Sequence, residues 1–299
     1  MIESLGGASN AYTSYDHSAY FIKSSSENTL KALRILFEWI AFGDWTTAEV
    51  TRERGVIKKE MSRANSNTQR LIFQKSQSLY YKNSPYRFPI LGYDNQFEKI
   101  TESDLKQYYK STYIPENIVI VIGGNVSENM ILNHVVNTFG TMKKKAQQPL
   151  YFNDDIQIIS SANSIVVVNQ LQSQRIVIRY PINSFFNDNV YPLDLLAYIL
   201  GNGEQSLLYQ EFVVKEKLAT NVSVRSITPF YDFGYFEITV ESSRSYDEIL
   251  QRTQAFIDQF QTKKISRSLL KKAKTQKRTE YILSRNSLDQ YIQEIGQAM

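Results

Sequence analysis

Two acids, Glu53 and Glu60, are the residues best suited to a metal-binding role, and they lie in the run TTAEVTRERGVIKKEMSR. At about 100° per residue, a separation of seven positions returns to within roughly 20° of the starting direction. Both carboxylates therefore share one face of a predicted helix, two turns apart. Such a pair could serve a metal ion, but the same pattern is that of an ordinary charged amphipathic helix.

The predicted helix needs a buried side and a start signal to hold these acids in place. Thr46 or Thr47 is expected to cap its N-terminus, with Glu49 in the first turn. The apolar residues expected to form its buried side are Val50, Val56, Ile57 and Met61.

Histidine and cysteine limit the other chemistry that is open to the chain. The only histidines are His17, at a predicted hairpin turn, and His134, in a predicted helix where a surface or boundary position is expected. A zinc site needs three or four N, S or O ligands, so neither histidine builds one from sequence spacing alone. The absence of cysteine excludes disulfides, thiolate zinc sites and cysteine nucleophiles.

Other catalytic motifs are missing or incomplete. There is no G-x-S-x-G elbow for a serine hydrolase, and the Gly201-Asn202-Gly203 run lacks the rest of a dinucleotide fingerprint. The run KKISRSLLKKAKTQKR, from Lys263 to Arg278, is basic with an apolar helical stripe. This pattern is typical of a solvated helix face, and a surface for an anionic partner is the alternative.

Composition indicates a folded protein with room for two domains. The chain has 299 residues, of which 42% are hydrophobic and 21% charged, and its formal net charge is +4. Positive residues are interspersed with acids over most of the chain, so nucleic-acid binding is not expected. No window approaches the roughly 18 apolar residues of a membrane span.

The order of predicted elements repeats along the chain. A hairpin at 9–24 precedes several helices, an apolar strand at 118–122 and a further helix, and the pattern weakens into a linker at 140–155. Mixed elements then resume, with strands expected at 164–168, 175–179, 221–226 and 235–240 and helices at 190–200, 206–217, 246–260 and 266–283. Two successive blocks predict two α+β domains.

At both ends of the sequence, the pattern is that of a secondary-structure element that is cut. The opening residues MIESLGG resemble the end of a helix closed by Gly6 and Gly7, and the last residues stop inside a helical pattern. We therefore expect that the natural N-terminus lies upstream and that the second block is incomplete.

Several strings in order resemble the insulinase/pitrilysin family of zinc metallopeptidases, especially bacterial members that resemble the mitochondrial processing peptidase. The resemblance covers essentially the whole chain. The strings that carry it are ESLGGASNAYTSYDHSAYF, ERGVIKKE, SPYRFPILG, ITESDLKQYYKSTYIPENIVIVIGGNV, GNGEQSLLYQEFVVKEKLATNVSV and RTEYILSRNSLDQYIQEIG.

The resemblance implies roles for five residues. Family enzymes carry H-x-x-E-H on the helix before the SLGG turn, which provides two zinc ligands and a general base. The third ligand maps to Glu60, and Glu53 maps to a carboxylate that supports the site from behind. Residues Asn10, Ala11 and Tyr12 map to an edge strand that binds a peptide substrate by β-augmentation.

The sequence departs from the family pattern at two places. It contains no H-x-x-E-H, so two zinc ligands and the general base are missing, and Glu60 alone cannot hold catalytic zinc. An Arg/Tyr pair that helps to stabilise the transition state maps to Val213 and Thr220. The zinc-bearing half in this family often takes that pair from a partner subunit or second half.

These observations predict an α+β fold with two homologous domains, 1–146 and 147–299, each an antiparallel-rich sheet with helices on one face. The expected function is that of a zinc metalloendopeptidase fragment, inactive alone, which acts on peptides with a homologous partner. A non-catalytic peptide-binding or structural subunit of the same fold, or an unrelated α+β binding protein, are the alternatives. The compartment is not specified, and for a bacterial source we expect the periplasm or cell envelope rather than the cytoplasm.

Overall fold

A computed structural model describes residues 2–43, 45–143 and 174–298 and has an α+β fold with antiparallel sheets, as predicted. The described residues form two compact units. The first contains residues 2–43, 45–66, 89–143 and 283–298, and the second contains 67–88 and 174–282. Each unit is therefore built from segments that are distant in sequence. The predicted boundary at 146/147 and the predicted strand at 164–168 lie outside the described residues.

The first unit contains a two-stranded antiparallel hairpin and a set of helices. Its strands are β1 (Ala8–Thr13) and β2 (Ser18–Lys23), and its helices are α1 (Thr29–Ala41), α2 (Thr47–Ser66), α4 (Asp94–Phe97), α5 (Glu102–Thr112), α6 (Glu128–Asn137) and α11 (Leu288–Ala298). The second unit contains α3 (Thr68–Tyr80), β3 (Gln174–Ile182), α7 (Val190–Gly201), α8 (Leu207–Tyr209), β4 (Asn221–Ile227), β5 (Gly234–Ser242) and α9 (Tyr246–Gln261), together with most of α10 (Arg267–Ser284).

The opening turn ends on a glycine, as the sequence predicts. A 3-10 helix at Glu3–Leu5 is closed by Gly6, whose φ of 62° is in the left-handed region that glycine adopts readily. The Gly6 amide donates to the Glu3 carbonyl at 3.0 Å. This closure directs the chain into β1.

Reciprocal caps begin two helices of the first unit. The Thr46 hydroxyl and amide donate to the Glu49 carboxylate at 2.7 and 2.9 Å, and Thr101 and Asp104 form the same capping box at the start of α5. Hydrogen bonds from Thr101 lower the pKa of Asp104, and those from Thr46 lower the pKa of Glu49. Thr46, rather than Thr47, is therefore the cap of α2.

Aromatic contacts connect α1 to α5 inside the first unit. The Tyr109 hydroxyl donates to the Ile40 carbonyl at 2.6 Å, and the ring of Trp45 meets the Tyr109 ring edge-on at 5.5 Å. A Cβ at Gly43 would lie 2.5 Å from the Tyr109 ring, so the chain can pass this ring only as glycine.

The second unit is organised around β5. The sheet order is β3-β5-β4 and both pairings are antiparallel, so β5 is central and almost every residue in it is buried. Because side chains alternate along a strand, one face of the sheet is apolar and the other is polar. The apolar face packs with the helices into a core that includes Ile176, Leu208, Phe212, Val224, Ile238, Val240 and Ile249.

The polar face of this sheet holds a buried ion cluster. Glu237 on β5 is 2% exposed and lies directly between Arg179 on β3 and Arg225 on β4. Arg179 Nε donates to Glu237 at 2.8 Å, and Arg225 donates to the other carboxylate oxygen at 2.5 Å. Gln77 on α3 accepts a further bond from Arg179 at 2.7 Å, so the buried charges have partners on three elements.

Tyr80, the last residue of α3, and Tyr81, the next residue, cover the start of β5. Tyr80 and Tyr81 donate their hydroxyls to the carbonyls of Gly234 and Phe233, and burial raises the pKa of both phenols. The Arg179 guanidinium stacks on the Tyr235 ring at 3.9 Å from its centroid. These contacts explain why α3 belongs to the second unit although it follows α2 directly.

Three sequence expectations need correction. The predicted strand at 118–122 is not paired with any described strand, and Val119 in it is 51% exposed. The predicted helix at 206–217 is a single turn, α8, followed by a π-helix at Gln210–Lys215. Val56 is exposed rather than buried, because it lies about 140° around the helix from the buried Met61 and faces away from the packed side.

Candidate functional site

The acids of α2 lie on one exposed helix face, as their spacing predicts. Glu49, Glu53 and Glu60 are all exposed. Glu53 and Glu60 are two helical turns apart, and Val56, which lies between them in the sequence, is also exposed. At 1.5 Å per residue the two sites are roughly 10 Å apart along the axis. Ligand oxygens lie about 2 Å from zinc, so only one of these two carboxylates could bind a given ion.

Contacts on the opposite flank fix the orientation of α2. Met61 is buried, and Arg54 donates to the carbonyls of Phe97, Glu98 and Ile100 at 2.6 to 3.3 Å. Lys58 adds an ion pair with Glu98 at 2.5 Å, which lowers the pKa of that carboxyl. The acid-bearing face is therefore held outward by the packing of the helix and not by the acids themselves.

The described donors do not fit a zinc ion on their own. Within residues 2–43, 45–143 and 174–298, no group of three or more His, Cys, Asp or Glu side chains could hold a metal. The described contact of the Glu53 carboxylate is with Arg52, at 3.6 Å. A zinc site that uses Glu60 would need its other ligands from outside these residues.

The two histidines have structural surroundings. His17 closes the β1–β2 hairpin, with Nδ1 at 3.0 Å from the Ser14 hydroxyl and Nε2 at 3.3 Å from the Tyr12 hydroxyl. The Tyr12 and His17 rings meet edge-on at 5.6 Å. His134 on α6 is half-buried, and its Nε2 has no hydrogen-bond partner in the described part of the chain.

Strand β1 has one free edge. Ser14 N donates to His17 O at 2.8 Å, so these two residues form a hydrogen-bonded pair. In an antiparallel ladder, hydrogen-bonded pairs alternate with non-hydrogen-bonded pairs along each strand. Asn10 and Tyr12 therefore direct their backbone groups toward β2, whereas Ala11 directs its N–H and C=O outward. No other described strand pairs with this outer edge.

The three predicted substrate-binding residues have different surroundings. The Ala11 amide donates to the Asn10 side-chain carbonyl at 2.9 Å, so the outward N–H is covered by a short local bond. Tyr12 is half-buried, and its hydroxyl also accepts from Gln297 of α11 at 3.3 Å. The sequence pattern does not reveal either bond. Gln297 is distant from Tyr12 in the chain, and the Asn10 side chain reaches the Ala11 N–H only because the pairing of β1 with β2 directs that N–H outward.

Val213 and Thr220, at the positions of the Arg/Tyr pair, have packing roles. Val213 lies in the π-helix and packs against the core of the second unit. The Thr220 amide and hydroxyl both donate to the Glu241 carbonyl, at 2.8 and 3.1 Å. Neither side chain carries a charge that could stabilise an oxyanion.

The arrangement supplies a strand edge able to pair with a peptide and an exposed carboxylate face, but no complete catalytic group. No helix within the described ranges is long and apolar enough to cross a membrane.

Comparison with known proteins gives two family matches that cover most of the chain. Residues 1–94 match the model described as insulinase (Peptidase family M16), and residues 99–277 match the model described as the Peptidase M16 inactive domain. The second match alone spans more than half of the chain.

Individual relatives agree with these matches. A protein of Rickettsia felis named an uncharacterised zinc protease is 27% identical over 296 residues, which are 98% of this chain and 70% of that protein. The beta subunit of the human mitochondrial-processing peptidase is 33% identical over 139 residues, covering 46% of this chain and 28% of the subunit. The crystal structure of a protease from Helicobacter pylori superposes with a TM-score of 0.87 at 22% identity, over 97% of this chain and 71% of that one. The chain belongs to the insulinase family of peptidases, Peptidase family M16.

Proposed function

We propose that this chain is part of a zinc metalloendopeptidase that hydrolyses peptides held between two homologous halves, and that it is inactive alone. The observation that carries the proposal is the exposed Glu53/Glu60 face of α2 in a chain that belongs to a peptidase family. Relatives named zinc proteases support the metal and the reaction class.

Glu60 is the residue proposed to bind zinc. Two histidines and a general base would have to come from an H-x-x-E-H segment, which this sequence does not contain. Zinc would supply the activation of a water molecule when bound. The contribution of this chain is to hold one carboxylate outward on a helix whose opposite flank is anchored by Arg54 and Lys58.

The edge of β1 is proposed to hold the peptide. The outward N–H and C=O of Ala11 can pair with an extended backbone once the Asn10 side chain releases that N–H. A strand edge recognises backbone rather than side chains, so this mode of binding suits a peptidase that accepts varied sequences.

The second half would contribute the charged and phenolic groups that this chain lacks. Val213 and Thr220 cannot donate to a developing oxyanion from their positions. We therefore propose a homologous partner subunit or half that brings an Arg/Tyr pair.

The first test adds an H-x-x-E-H-bearing segment ahead of residue 1 and mixes the product with a homologous partner. Glu60→Gln should abolish peptide turnover and bound zinc. Glu53→Gln, a matched substitution on the same helix face, should lower activity by about 10–100-fold and keep most of the metal, as supporting carboxylates do. Metal content and turnover of an internally quenched peptide are the two readouts.

The outcomes separate the roles of the two acids. If Glu53→Gln empties the site while Glu60→Gln keeps it full, the assignment is reversed. If neither substitution changes bound zinc, α2 does not contribute to the metal site. Tight zinc binding by the unmodified chain, lost on Glu60→Gln, would contradict the proposal that Glu60 needs zinc ligands from an added segment.

The second test concerns the strand edge and uses the chain by itself. Proline is tolerated on an outer edge because its missing N–H would face away from the ladder. Ala11→Pro should therefore abolish binding of an extended peptide and preserve the fold, whereas the control Ala11→Val keeps the N–H and should preserve binding. Fluorescence anisotropy measures the binding and circular dichroism the fold. Equal binding by both variants would show that peptides do not use this edge.

A second candidate function is a non-catalytic subunit of the same fold that only binds peptide or supports a partner. The observation in its favour is that residues 99–277 match a domain described as inactive. The reconstitution experiment distinguishes the two, because a non-catalytic subunit would bind peptide through Ala11 but gain no turnover from an added H-x-x-E-H segment.

A further inference from the structure

The basic run singled out in the sequence forms an ordered stripe on α10. Arg267, Lys271, Lys274 and Arg278 are all exposed. At about 100° per residue these four positions lie within an arc of roughly 60°, and they span roughly 16 Å of the helix. We call these four residues the α10 stripe.

The opposite face of α10 fixes the direction of the stripe. Ala273 is 3% exposed, and Leu269 is half-buried. Lys277, on the packed side, donates to Asp194 at 2.9 Å and lies 5.3 Å from the centre of the Tyr198 ring on α7. The lysine that faces the protein therefore has an acidic partner within the second unit.

The stripe itself has no acidic partner among the described residues. None of its four cations forms an ion pair with a described carboxylate. Neighbours in the stripe are three or four positions apart, where like charges destabilise a helix. The only acid in the helix, Glu280, lies about 150° from the middle of the stripe. An anion at this face would relieve the repulsion.

A shallow groove of about 320 Å³ follows the stripe. Its described lining consists of Arg267, Leu270, Lys271, Lys274, Thr275 and Arg278. Leu270 adds an apolar contact beside the charges. The surface therefore combines a line of cations with one apolar position, as a helix-binding groove does.

We propose that the α10 stripe binds an acidic segment of a second polypeptide, with an apolar side chain of that segment against Leu270. Charge complementarity argues for an acidic partner, and the single apolar position argues for a polypeptide. A duplex needs a broader basic face than one helix stripe, so an acidic polypeptide fits the stripe better than a nucleic acid does. The proposal does not depend on the peptidase activity.

The experiment measures binding of a labelled synthetic helical peptide to the full chain. The peptide carries glutamates at the i, i+4, i+7 and i+11 spacing of the stripe and one leucine between them, and its control replaces the glutamates with glutamine. The acidic peptide should bind, its affinity should fall as salt is raised, and the glutamine peptide should not bind.

Two charge-reversal variants make the test specific. Lys271→Glu combined with Lys274→Glu should weaken binding by about tenfold or more, because both changes lie at the centre of the stripe. Lys263→Glu combined with Lys264→Glu changes the net charge equally at exposed positions before the helix and should stay within about threefold. Circular dichroism checks that both variants fold.

Three results would overturn the proposal. An equal loss of affinity in both variants would mean non-specific attraction to a basic protein. Absence of binding by the acidic peptide would mean that the stripe is a solvated face. Tighter binding of duplex DNA or of anionic phospholipid vesicles, with the same sensitivity to Lys271→Glu and Lys274→Glu, would assign the stripe to a different class of partner.

Discussion

Lys217 has a backbone conformation that disfavours its side chain. Its φ is 50°, and it is the one non-glycine residue with positive φ in the described ranges. The Cβ atom of an L-residue is strained in the left-handed region, whereas glycine is not. The π-helix ends at Lys215, and Lys217 lies two residues beyond it, so the strain belongs to the turn that leads into β4.

We expect Lys217→Gly to raise the free energy of unfolding by about 1 kcal/mol. The matched control is Lys215→Gly, at the last residue of the π-helix, where glycine and the loss of the pair with Glu211 should instead lower stability by about 1 kcal/mol. Urea denaturation of both variants measures the difference. A loss of stability in both would show that the Lys217 side chain makes a contact that outweighs the strain.

The buried ion cluster gives a second prediction. Glu237→Leu leaves Arg179, whose side chain is 6% exposed, without its carboxylate, and we expect a loss of about 3 kcal/mol. Glu241→Leu is the control on the same strand and face, because its pair with Arg175 is 3.6 Å long and its side chain is 29% exposed. The control should cost less than about 1 kcal/mol. Equal losses in denaturant would contradict this account.

Sequence spacing identified the shared face of Glu53 and Glu60, because helical periodicity alone fixes that relation. It did not identify the partners of Glu237. An acid in the middle of the apolar strand GYFEITVES signals a buried charge, but the arginines that neutralise it lie on two other strands. Strand pairing determines those contacts, and the spacing of residues along one strand does not predict which strands pair.

Helix α2 contains a glycine that local packing does not require. A Cβ at Gly55 would have no atom within 4 Å, and the residue lies inside the helix between the two acids. Glycine in a helix interior costs up to about 1 kcal/mol relative to alanine.

We expect Gly55→Ala to stabilise the chain by about 0.5–1 kcal/mol, measured by thermal and urea unfolding. Gly201→Ala is the contrasting control on α7, since a Cβ there would lie 2.4 Å from the backbone nitrogen of Val224. That variant should be strongly destabilised by overpacking. If Gly55→Ala also destabilises, the open space at α2 is closed by a group that packs against its backbone.

Most helices and the strands of the second unit follow their predicted positions because amphipathic periodicity and caps are local signals. Two elements do not. The apolar residues 118–122 have the composition of a strand, but a strand also needs a neighbour to pair with. The π-helix adds one residue to a turn, and no periodicity in EFVVKEK distinguishes it from an α-helix.

The interleaving of the two units gives a further prediction. Helix α11 belongs to the first unit, where Asp289 pairs with Lys23 and Gln297 donates to Tyr12. Ile292 fills the space beside Gly123, where a Cβ would lie 2.7 Å from its terminal methyl. Helix α11, near the end of the sequence, therefore holds the β1–β2 hairpin near its start.

Removal of the residues after Ser284 should lower the hydrogen-exchange protection of β1 and β2 and leave that of β5 unchanged, since β5 lies in the core of the second unit. Mass spectrometry of peptides from both regions measures this. Equal loss of protection in β5 would show that the units unfold together. Retained protection of β1 would show that α11 does not hold the hairpin.

The sequence predicts two contiguous blocks whose boundary lies outside the described residues, and the compact units within those residues exchange 67–88 and 283–298. Element order along the chain suggested the blocks. The exchange depends on contacts such as Tyr80 with Gly234, which join residues far apart in sequence. Hydrophobic pattern indicates that α3 buries one face but does not indicate against which unit.

The uneven distribution of aromatic residues gives the two units different optical signals. Both tryptophans, Trp39 and Trp45, lie in the first unit, and Trp45 meets Tyr109 there. The second unit has only tyrosine and phenylalanine as chromophores, clustered around Tyr80, Tyr81 and Tyr235. Tryptophan emission excited at the red edge of absorption thus reports on the first unit alone, and its melting curve can be compared with far-ultraviolet circular dichroism of the whole chain without attaching any label.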